Sequence, residues 1–201
     1  MARLQLSKSS LNRENVNLKK FSKFLPSLDL KRRQLIAERA RSSAALDEEH
    51  ERIAQFRKII GEKLPMLSNR EVDLQDLVTL KMVTIGEENV VGTRLPVLES
   101  IEVEVRDYAL LGKPQWVDAV AESLRDMMEL QVRARIERRR LAALEQAVKT
   151  VTQRVNLFEK VLVPRARENI KRIRIYLSDA DRAAVVRSKI AKKKRAAEKA
   201  L

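Results

Sequence analysis

The sequence predicts a mainly α chain: a long antiparallel two-helix coiled coil with a small middle head that contains a β-hairpin. Three observations predict it. Charged residues make up 35% of the 201 positions and aromatics 3%, a composition that suits long helices burying a narrow seam rather than a large core. Apolar residues recur at heptad spacing in both the first and the last parts of the chain. All four glycines and three of the five prolines fall between residues 61 and 115, so the turns belong to the middle.

The C-terminal arm carries the clearest periodicity. Trp116, Val120, Ser123, Met127, Leu130, Ala134, Glu137, Leu141, Leu144, Val148, Val151, Val155, Phe158 and Leu162 alternate steps of four and three. Only Ser123 and Glu137 interrupt the apolar run. Gly112 and Pro114 mark the start, and Pro164 is expected to end or kink the stretch, because proline lacks the N–H and its ring clashes with the preceding turn. A helix over 116–163 would run roughly 70 Å at 1.5 Å per residue. The period then resumes in Ile170, Ile173, Leu177, Ala180 and Ala184, and a lysine-rich tail follows.

In the N-terminal arm Leu4, Leu11, Leu18 and Leu25 recur every seven residues, as do Leu46, Ile53 and Ile60, with Phe56 in the partner register and Leu28 and Leu35 between. Arg32, Arg39, Ser42 and Glu49 dilute this seam, and Pro26 is expected to kink it. Trp116 and Phe158 read as seam residues, and Tyr176 as exposed.

The middle alternates in a different period. Ile101, Val103 and Val105 are separated by charged residues, which reads as a half-buried strand. Residues 80–85 make a second, with Met82 at its centre. The stretch 86–98 is expected to hold the turn. Ser68 with Glu71 fits a capping box, so a short helix is expected before the hairpin. The expected division is residues 1–60, a coiled-coil arm; 61–115, a head with a short helix and a hairpin; and 116–201, a second arm with a basic tail.

The formal net charge is +14. Residues 61–118 hold 6 basic against 11 acidic side chains, a net of −5, and the rest holds 36 against 17, a net of +19. An acidic middle between basic ends points to acidic partners or to nucleic acid. Bases need aromatic platforms, which are scarce here, so single-strand binding is disfavoured while duplex phosphate contact stays open. The cluster Arg133, Arg135, Arg138, Arg139 and Arg140 could grip phosphate, and it also reads as a solvated or protein-contacting face.

Chemistry is hard to place anywhere. There is no cysteine, hence no disulfide and no Cys-based zinc site. Gly112-Lys113 is not a phosphate loop, because the preceding glycine at the required spacing is missing and Pro114 follows. The only histidine, His50, lies in a run of charges and reads as surface. We expect no catalytic residue, no cofactor and no metal. The longest uncharged run, residues 64–69, is far short of the roughly 20 residues of a membrane span, so no direct membrane insertion is expected.

Three segments carry a resemblance. Gln153-Arg154-Val155-Asn156-Leu157-Phe158-Glu159 followed by Val163-Pro164-Arg165, the run from Asn89 through Gly92 to Pro96, and Leu30-Lys31-Arg32-Arg33-Gln34-Leu35 resemble, in order and spacing, the D subunits of the V/A-type rotary ATPases. The stretches at 25–30 and 177–182 depart from the commoner family pattern. The resemblance implies a central rotor shaft without catalysis of its own, which transmits torque between a catalytic hexamer and a membrane ion-translocating ring. It implies three partners: the hexamer around the coil, a small axle subunit on the head, and a socket subunit above the ring. The expected location is cytoplasmic, peripheral to the membrane through the complex. Expected partner contacts are Arg154, Arg165, Arg182, Arg187, Lys189, Lys192, Lys193 and Lys194, and Met82, Asn89, Gly92, Pro96, Ile101 and Val103 are expected to belong to the head hairpin, in the segment where the resemblance places the axle subunit. The competing readings are a basic coiled coil that binds nucleic acid and a static spacer; the shaft reading expects no direct nucleic-acid partner.

Overall fold

The computed structural model describes residues 4–68, 74, 76–106 and 114–198. Helix α1 spans Lys8–Lys63, a 3-10 turn Pro65–Ser68 follows, and strands β1 (Val78–Val90) and β2 (Thr93–Val105) form the hairpin. Helix α2 spans Trp116–Leu157, a π-helical turn Phe158–Leu162 interrupts the ladder, and α3 runs over Val163–Glu198. By packing, the chain divides into two units, residues 31–150 and residues 1–30 with 151–201.

α1 begins behind Ser7, whose hydroxyl accepts the Ser10 N–H at 3.2 Å and so satisfies one orphan donor of the first turn. Its last turn holds Lys63, a cation at the negative end of the helix dipole. Pro26 does not end the helix. Ser22, whose carbonyl loses its donor there, is exposed, as is Pro26 itself, so this turn faces solvent and the proline costs less than it would in a core.

Within the unit of residues 31–150, α1 and α2 run antiparallel. Ser42 Oγ donates to Glu137 Oε2 at 3.3 Å, and Arg140 donates to Glu38 at 3.0 Å, so numbers rise along one helix as they fall along the other. Leu35 and Leu144 are fully buried, with Leu46, Ala134 and Ile136 nearly so. Two of the polar interruptions of the seams, Ser42 and Glu137, therefore meet each other. A half-buried polar pair of this kind adds less stability than an apolar one and in return penalises shifted registers. Glu38, not Arg39, takes the inward position; Arg39 is exposed. Near the start of α2, Leu77, Val117, Val120 and Ala121 form a separate core cluster covered by Leu64, Leu74, Val78 and Trp116.

The hairpin differs from the sequence reading in its reach. The strands extend through Val90 and from Thr93, with Val90 opposite Thr93, so the turn is two residues long, not the stretch 86–98. Val91 and Gly92 have φ of 52° and 73°, the pattern of the two-residue turn whose twist matches paired strands. Gly92 adopts this freely; Val91, β-branched, is strained by roughly 1–3 kcal/mol. Pro96 is tolerated opposite Glu87 because both strands of a two-stranded sheet are edges. The hairpin lies back along the helices: Leu95 is fully buried, and an added Cβ at Gly92 would come within 3.3 Å of Lys31 Nζ on α1. A 3-10 turn, rather than an α-helix, holds Ser68; Glu71 and Gly112 lie outside the described residues.

In the unit of residues 1–30 with 151–201, the helices again run antiparallel. Phe21 and Phe158 meet edge-on with centroids 5.5 Å apart at 86°, and Leu11 lies with Leu177, Val185 and Val186 along one groove. Pro164 does not end the helix; the π turn precedes it. The Val163 N–H bonds to the Phe158 carbonyl, five residues back. This widening accommodates one extra residue. Its trace is in the seam: Phe158 and Leu162 are half-buried, then Ala166 and Ile170 are buried, three steps of four in succession. Val163 also turns inward. Ala180 and Ala184, expected in the seam, are exposed.

Candidate partner-binding surfaces

Arg140 is where the sequence reading fails most clearly. Expected on a solvated face, its side chain is only 14% exposed and bridges three elements. It reaches Glu38 on α1 at 3.0 Å and Glu88 on β1 at 2.9 Å. Burial opposes its charge, but hydrogen bonds to Glu38 and Glu88 outweigh that and raise its pKa above the ordinary arginine value. The guanidinium therefore stays charged at any ordinary pH. Replacing Arg140 with Gln is expected to destabilise the chain by about 1–3 kcal/mol, the range for a lost charge-assisted hydrogen bond. It should also speed amide exchange near Glu88 more than near Val117, because the first contact holds the hairpin and the second site does not depend on it. Uniform exchange rates would mean that Arg140 does not fix the hairpin.

The outer part of the hairpin is exposed and partly apolar. Met82 is 57% exposed, with Leu80 and Ile85 close behind. Asn89 and Gly92 at the turn are exposed, while Pro96, Ile101 and Val103 are half-buried. Glu87 pairs with Arg94 and Glu104 with Lys81.

The expected contacts of the C-terminal arm are all on the surface. Arg154, Arg165, Arg182, Arg187, Lys189, Lys192, Lys193 and Lys194 are exposed. Arg182 lies 3.9 Å from Asp179, and the Arg187 side chain bonds back to the Ala183 carbonyl. Val185, Val186 and Ile190 are exposed among these cations, so the tail presents apolar and basic surface together. Of the seam residues, Leu46, Leu144, Val151 and Val155 are buried, and Ile53, Phe56, Ile60, Leu141, Val148, Phe158 and Leu162 are half-buried. Tyr176 is exposed. His50 is exposed, as the sequence reading expected, with its Nε2 3.4 Å from Arg138.

Sequence reasoning missed the Arg140 bridge and the Ser42–Glu137 pair. The available signal was that each seam has a polar break near its middle, and such breaks need each other when the arms pair. Among the described residues, no group of three or more His, Asp or Glu is placed to hold a metal.

Residues 10–193 match the family model of the ATP synthase D subunit. The chain is 35% identical to the V-type ATP synthase D subunit of Borreliella burgdorferi, over 96% of this chain and 95% of that one. Against the V-type ATP synthase D subunit of Chlamydia muridarum it is 30% identical over 96% of each chain, and against that of Chlamydia pneumoniae 29% over 95% and 92%. With a match across nearly its whole length, the chain belongs to the family of ATP synthase D subunits.

Proposed function

We propose that the chain is the central rotor shaft of a V/A-type ATPase or ATP synthase, and that it carries torque between the catalytic hexamer and the membrane ion-translocating ring without catalysing a reaction. The observation that carries this reading is the pairing of two long helices in a chain that matches this family from residue 10 to 193. Two helices wound on one seam resist twisting better than one, and the Ser42–Glu137 and Arg140 contacts hold their register against shear. The hexamer takes the coil, a small axle subunit takes the hairpin surface around Met82 and Asn89, and a socket subunit links the shaft to the ring. No described helix is long and apolar enough to cross a membrane; the chain is held at the cytoplasmic side through its partners.

The test is direct. A bead attached through a cysteine at exposed Asn89, with the hexamer immobilised and the axle subunit left out, should turn in one direction when ATP is added. Continued hydrolysis under a stationary bead would overturn the shaft reading. The isolated chain should show a flat calorimetric titration with Mg-ATP; a stoichiometric micromolar isotherm would show a nucleotide site and remove the non-catalytic assignment.

A further inference from the structure

Between α1, β1 and α2 of the unit formed by residues 31–150 lies a half-open cavity of about 530 Å³. Ile53, Leu80 and Met128 give it an apolar lining, and Arg57, Arg135 and Arg138 stand around it. Arg57, Arg135 and Arg138 are exposed, and among the described residues none of the three forms an ion pair with a carboxylate; Arg138 has the His50 ring. Several carboxylates of the same unit pair with other cations. Glu48 and Glu49 are held by Arg52, Glu62 by Lys58, Glu129 by Arg133 and Glu38 by Arg140.

This arrangement specifies an occupant. Three cations drawn from two helices can be desolvated only by a ligand that brings negative charge, because an uncompensated buried charge is costly. The apolar lining gains from covering only if the ligand also brings aliphatic or aromatic surface. A bare phosphate would satisfy the arginines and leave Ile53, Leu80 and Met128 wet. We propose that the cavity docks an acidic segment of a partner protein, in which carboxylates flank an apolar side chain that seats against Met128, an anchor in a pocket ringed by polar contacts. The inference does not need the shaft to rotate; it concerns which chemistry this face recognises.

The experiment uses the full chain with isotope-labelled methionine methyls. The probe is a synthetic hexapeptide with a Leu-Phe pair flanked by two glutamates on each side. The Met128 methyl resonance should shift and saturate with this peptide. Affinity should fall about tenfold or more, the size of a lost charge-assisted contact, in the double variant R135Q/R138Q. It should be retained in R13Q/K19Q, which removes the same charge from positions outside this unit. Failure of Met128 to shift would overturn the proposal. So would an equal loss in the R13Q/K19Q control, which would reveal diffuse attraction only. An equal Met128 response to inorganic phosphate would overturn the protein segment as occupant and leave a small-anion site. Lysine-for-glutamate peptide should give no response; if it does, the arginines are not the recognition element.

Discussion

Leu144→Ala lowers the unfolding free energy by about 2–5 kcal/mol, the range for emptying a well-packed leucine site. Leu144 is fully buried and sits in α2 four residues beyond Arg140. Paired helices have only a seam for a core, and the polar layer at Ser42 and Glu137 lies next to it. Nothing large can slide into the vacated space without breaking the register those contacts hold. The measurement is urea unfolding followed by helical circular dichroism. Ile175→Ala is the control: Ile175 is 53% exposed on α3, and such surface changes stay within about 0.5 kcal/mol. Equal losses for the two variants would mean that the seam is not where the chain's stability resides.

The second large effect is on assembly. Between Arg182 and Arg195 the tail holds seven basic residues and no acidic one, and all of it is exposed. Such a charge either rests in solvent or meets an acidic wall. If the tail enters the hexamer, long-range attraction speeds its entry, by factors of about 10 to 10³ in steered associations. Salt screens that attraction over about 8 Å at physiological ionic strength. Changing Lys192, Lys193, Lys194 and Arg195 to Gln should therefore slow association of the chain with the hexamer, most at low salt. The helix should survive, because Gln is a good helix former. The check is association kinetics of wild type and variant across a salt series. Rates that coincide at low salt would show the tail to be a solvated face. Loss of duplex DNA binding with assembly intact would favour the nucleic-acid reading instead.

The contrast between Leu144 and Arg140 shows what kind of information a sequence holds. Leu144 was legible because its neighbours at three and four residues are apolar, and helical spacing is a local property. The same logic located the strand over Ile101, Val103 and Val105, where the period changes to two. It placed the turns in the middle, where the glycines are, and it separated a basic tail from an acidic centre. That the cations of the tail lie at the surface was legible for the same reason, since a dense run of charged side chains keeps its heads in water.

Arg140 was not legible. It sits among four other arginines, and nothing within ten residues distinguishes it. Its partners are Glu38, roughly a hundred positions earlier, and Glu88, half as far. Which arginine turns inward depends on how α1 and α2 are phased and on where the hairpin lies along them. The pairing of Ser42 with Glu137 has the same origin, and so does the cavity among Arg57, Arg135 and Arg138. The π turn before Pro164 and the continuation of α1 through Pro26 show a related limit: proline forbids one hydrogen bond, but whether the helix breaks, widens or continues depends on solvent and on the facing helix. The sequence by itself determined the helices, their seams, the hairpin and the charge of each segment, because periodicity and composition act over a few residues. Only the tertiary structure decided which polar groups meet and which arginines remain without a carboxylate, because those outcomes follow from the register between segments far apart in the chain.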